Sequence, residues 1–111
     1  MLMTMFVLDD PELLDAVLDA WHDIGVTGAT IVESSGLNRR RAQTVDMGSA
    51  PGWPRIVERN RSGHFTIFLI VRDADEAARC RIAVEALTGD LTQPNTGVFA
   101  AWELALEKGA V

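Results

Sequence analysis

Apolar and polar positions along the chain change period several times, and each change marks an element. Residues 3–8 (MTMFVL) are a short run of strand formers and predict a first strand. Asp9, Asp10, Pro11 and Glu12 follow as a helix start: acidic caps, an early proline, and carboxylates near the positive end of the helix dipole. Leu13, Leu14, Val17, Leu18, Trp21 and Ile24 share one helical face, and Gly25 stands where a helix ends. Residues 26–34 read as a second strand centred on Ile31 and Val32. From 35 to 63 neither period survives, and Gly48, Pro51, Gly52 and Pro54 break the chain, which predicts a long loop. Loops of that length inside one domain are usually functional.

Residues 64–71 (HFTIFLIV) are apolar enough for a strand in the middle of its sheet. Asp73 with Glu76 makes a capping-box start for a second helix over 74–87, with Ala77, Cys80, Val84 and Leu87 on one side. Thr88 and Gly89 end it, DLTQPNT makes a shorter loop, and 97–102 (GVFAAW) predicts a fourth strand. The tail ELALEKGAV leaves two continuations open, strand or a helical turn, and propensity alone favours the helix. The order β-α-β-long loop-β-α-β is that of an α+β, ferredoxin-like βαββαβ sandwich with both helices on one sheet face. The other face would be partly apolar, so an oligomer is expected.

Length changes this picture little: 111 residues suit a single domain, 1–111, with the loop inside it. No apolar run reaches the ~20 residues of a membrane span. The N-terminal residues have neither a basic region nor a cleavage site, so no signal peptide is expected. A single cysteine allows no internal disulfide, in keeping with a cytoplasmic location.

Charge changes it more. The chain is acidic at −6, yet residues 36–63 hold six arginines (Arg39, Arg40, Arg41, Arg55, Arg59, Arg61) against Asp46 and Glu58, giving +4. The rest carries four basic and fourteen acidic residues, giving −10. A nucleic-acid binder would spread positive charge over a face with stacking aromatics. One basic segment on an acidic body instead describes an interaction loop, with Arg41, Arg55 and Trp53 (between Gly52 and Pro54) as its contact residues. Guanidinium groups grip phosphate and carboxylate by forked hydrogen bonds, and Gly36 just before them lets backbone amides approach an anion.

Other chemistry is thin. His22, His64 and Cys80 have no paired metal-ligand spacing. Arg79 and Arg81 flank Cys80 and would favour its thiolate, but its place beside the apolar helix face fits a core residue better. Asp9 and Asp10 serve as caps, Ser34 and Ser35 carry no nucleophile motif, and no Walker or Rossmann glycine loop exists, so no enzyme is expected.

The run from Gly25 to Arg39, GVTGATIVESSGLNR, resembles the second strand and T-loop entry of the PII signalling family, and Thr88-Gly89 resembles the start of that family's B-loop. Element order, length and loop position agree along almost the whole chain. The resemblance implies a homotrimer that binds an adenine nucleotide (AMP, ADP or ATP) between subunits. The T-loop would then control a target protein such as a transporter or enzyme, with membranes met only through that partner. Carried over by position, Thr30, Gly36, Arg39, Arg40, His64, Ile70 and Gly89 form the ligand site. Asn38 replaces the motif's second glycine, and His64 stands in place of a lysine. The B-loop, with Asp90 and Pro94, lacks lysines, and of the C-terminal cations only Lys108 remains. Fewer cations therefore await a triphosphate. With no tyrosine, tyrosyl modification of the loop is excluded. The alternative reading is a ligand-independent interaction module docking through the basic loop.

Overall fold

Two central strands organise the molecule. A computed structural model of the chain describes residues 1–34 and 64–110. Strand β1 (Leu2–Leu8) alternates buried Thr4, Phe6 and Leu8 with half-buried Met3, Met5 and Val7, the period of two that a half-covered strand needs. It pairs antiparallel with β3 (His64–Val71) on one side and β4 (Gly97–Glu103) on the other. Strand β2 (Thr30–Ser34) pairs with β3 alone, so the order is β2-β3-β1-β4. The apolar run 64–71 is thus flanked by strands on both sides. Among the described residues the architecture is α+β, a four-stranded antiparallel sheet with two helices.

A 3-10 turn (Pro11–Leu13) leads into α1 (Leu14–Asp23). Asp10 caps the turn, its Oδ1 accepting the Glu12 N–H at 3.0 Å. Gly25, at φ 102°, takes the left-handed conformation that ends the helix. Helix α2 (Ala74–Thr88) starts on Asp73, whose Oδ1 accepts the Glu76 N–H at 2.9 Å. The box closes one residue early: Glu76 Oε1 accepts from the backbone N–H of Arg72, not of Asp73.

Inward residues of β1 and β3 meet Val17 and Trp21 of α1 and Ala77, Cys80 and Val84 of α2 in one core. The Trp21 ring stands edge-on to Phe6, centroids 6.0 Å apart. Its indole N–H donates to the Cys80 carbonyl at 3.1 Å, tying the helices together. Both helices cover the face that carries Phe6 and Ile67. On the opposite face the register aligns Val32, Thr66, Val7 and Val98 in one row and Ile70, Met3 and Trp102 in another.

The structure corrects three boundaries. Residues 26–29, expected in the second strand, lie outside β2, because pairing with β3 stops at Thr30 opposite Phe68. The tail forms no helix over 104–110; Leu104 N–H donates to the Met1 carbonyl and prolongs the β1 side of the sheet. Leu87 is exposed, because α2's buried stripe ends at Val84. The long-loop expectation for 35–63 lies outside the described residues.

Candidate functional site

Where residues 25–29 leave the sheet, a gap opens beside β3. Continued pairing would have set Gly28 against Ile70; instead the chain bows away, and a cleft of about 680 Å³ lies between. That volume falls within the range of small-molecule sites. Phe68 and Ile70 form one wall with Met3, and 25–30 form the other. Leu69 pairs with Thr4 of β1, whereas Ile70, the next residue to face the β2 side, has no strand partner there among the described residues.

Arg72 and Glu76 supply the charge at the cleft. Glu76, in the first turn of α2, is buried at 6% exposure, an arrangement a carboxylate tolerates only when bonded. Its Oε1 accepts from Arg72 N–H at 2.8 Å, and its Oε2 takes Nη2 of the Arg72 guanidinium at 3.1 Å. The Arg72 side chain itself stays 73% exposed. Apolar side chains, a bowed backbone and, among the described residues, the exposed Arg72 side chain suit a planar ligand with an anionic end.

Of the sequence-named residues, Thr30 and Ile70 line this cleft together. His64 begins β3, six residues from Ile70 and therefore roughly 20 Å along the strand. It is buried there, with Nδ1 2.8 Å from the Ser34 hydroxyl, which also meets Thr66 Oγ1 at 2.9 Å. Gly89 closes α2 at φ 86° and is not part of the cleft wall. Gly36, Arg39, Arg40, Arg41, Trp53 and Arg55 lie outside the described residues.

Sequence reasoning missed Arg72 and Glu76. The available signal was an arginine just before a cap, four residues ahead of a glutamate, on the strand–helix junction. Cys80 is fully buried, and burial, with Glu76 adding and Arg79 opposing, pushes its thiol up to about 11, opposite to what flanking arginines suggested. The Arg81 guanidinium pairs with Glu85. Among the described residues no cluster of three or more His, Cys, Asp or Glu side chains could hold a metal ion, and no helix is long and apolar enough to cross a membrane. Neither a protein-family model nor a curated protein matches the chain.

Proposed function

We propose that the chain is a PII-like signal-transduction protein of ferredoxin-like βαββαβ topology, with 36–63 as its T-loop-like arm. The observation that carries this reading is the cleft, in which Thr30 and Ile70 meet beside the strand that leads to the arginines. The element order of the described residues and the sheet order are compatible with that topology.

In this reading three copies join through the uncharged sheet face, and an adenine nucleotide (AMP, ADP or ATP) occupies each cleft. The base lies against Phe68 and Ile70, within reach of the Ile70 backbone on the side that β2 leaves open. Gly89 approaches from a neighbouring copy, while Gly36, Arg39 and Arg40, with His64 further along β3, serve the phosphate end. Arg41, Trp53 and Arg55 touch a target protein in the cytoplasm. No chemistry is performed; ligand binding favours one arrangement of the arm, and the target binds that arrangement alone.

A thermal-shift screen with ATP, ADP, AMP, cyclic AMP and simple anions tests this. A ligand of the native state stabilises by mass action, roughly 2.7 kcal/mol at a hundredfold excess over its dissociation constant. At least one adenine nucleotide should raise the melting temperature, and Arg39→Ala with Arg40→Ala should weaken target binding. No shift with any nucleotide, together with salt-sensitive target binding, would move the assignment to a ligand-independent docking module anchored by Trp53.

A further inference from the structure

We infer that Arg72 is the anion-holding residue of the cleft, and that Glu76 tunes the cleft for a single small anionic group, a carboxylate or monophosphate, over a triphosphate. This rests on the ligand reading above and changes one part of it: the anionic group lies at the Arg72 end of β3, not at the His64 end.

Arg72 is held at two points by one carboxylate. Its backbone N–H and its Nη2 both donate to Glu76, which the first turn of α2 fixes in place. The side chain is therefore aimed before any ligand arrives, which reduces the ordering cost of binding. Beyond Glu76, its remaining N–H donors have no partner among the described residues, and they present the planar fork that matches carboxylate or phosphate oxygens. The amides of Thr27 and Gly28, on the facing wall, take part in no backbone hydrogen bond among the described residues and offer further donors.

The same pair limits the charge the cleft accepts. Arg72 and Glu76 together contribute no net charge, and the Glu76 carboxylate is buried beside the anion's position. One anionic group can share Arg72 with Glu76. Each further phosphate adds negative charge near a buried carboxylate, where repulsion is less screened than in water.

The test is a titration of the full chain with adenosine, AMP, ATP and inorganic phosphate, by calorimetry and thermal shift, on the wild type and on Arg72→Ala, Arg72→Lys and Glu76→Gln. AMP should bind about tenfold tighter than adenosine or ATP, the gain of one charge-assisted contact. Arg72→Ala should bring AMP down to the adenosine level while adenosine binding persists, which also reports that the cleft still folds. Arg72→Lys, keeping charge without the fork, should fall between. Glu76→Gln should narrow the gap between AMP and ATP. Wild-type affinity for AMP in Arg72→Ala, or ATP binding tighter than AMP in the wild type, overturns the inference and leaves the nucleotide reading intact. Stabilisation by phosphate that requires Arg72, with no adenine compound binding, sustains the anion site and removes the nucleotide reading. Silence from phosphate and nucleotides alike removes both.

Discussion

Thr4 lies on the inward face of central strand β1, fully buried, and among the described residues its hydroxyl has no hydrogen-bond partner. A buried hydroxyl without a bond costs about 1–3 kcal/mol, and valine has nearly the same shape. Thr4→Val should therefore stabilise the protein by about 1 kcal/mol, raising the melting temperature by roughly 4–8 °C. An unchanged or lower urea midpoint would mean that the hydroxyl is bonded after all. Cys80 behaves in the opposite way with pH. Burial keeps its native thiol protonated up to about 11, against an ordinary 9.0, so above about 9 the unfolded chain releases a proton that the native chain retains. Stability from this group is complete below pH 9 and falls as pH rises toward 11. Urea unfolding at pH 8, 9.5 and 10.5 should show a decline that is shallower in Cys80→Ala than in the wild type.

At the scale of elements, two glycines separate backbone requirement from steric requirement. Gly97 opens β4 at φ 138°, and a Cβ there would lie 2.3 Å from the Val7 carbonyl oxygen across the β1–β4 pair. Gly97→Ala must displace β4 or β1 and should cost at least about 2–3 kcal/mol. Gly89, at φ 86° and ψ −179°, has open space around it, so Gly89→Ala should cost the backbone strain alone, about 1–3 kcal/mol, and less than Gly97→Ala, which adds a clash. Equal midpoints for the two variants would contradict that ranking. Both helices, the central strand 64–71 and the fourth strand were legible because caps and apolar period agree at each. The shorter β2 was not, since Val26 and Thr27 have strand character while the departure from β3 depends on tertiary geometry. In the tail, where the sequence leaves strand and helical turn both open, the strand continues through Glu103: a seven-residue helix containing Gly109 cannot offset its nucleation cost, and pairing beside β1 competes successfully. Thr30 and Ile70 were legible by resemblance. Arg72 and Glu76 became a site only when the strand–helix junction folded them onto each other.

Among the described residues, one sheet face carries no helix. The outward positions of all four strands carry no aspartate, glutamate, lysine or arginine, although the chain holds 26 such residues. Val32, Val98 and Trp102 stand 45%, 55% and 46% exposed on it. Contiguous apolar surface on adjacent strands is uncommon in a monomer and marks an interface. If three copies close over this face, sedimentation should give three times the 12.1 kDa of one chain. Val98→Glu with Trp102→Glu would bury two carboxylates in that contact at several kcal/mol and return the protein to monomers. Neither residue lines the cleft. Circular dichroism should remain that of the folded chain, since both side chains are exposed in one subunit. Nucleotide binding then discriminates between two designs. A cleft completed by Gly89 of a neighbour loses its ligand when the trimer dissociates, whereas a cleft complete within one chain keeps it. A monomeric wild type would remove the assembly from the proposed function and leave Arg72 to act within a single subunit.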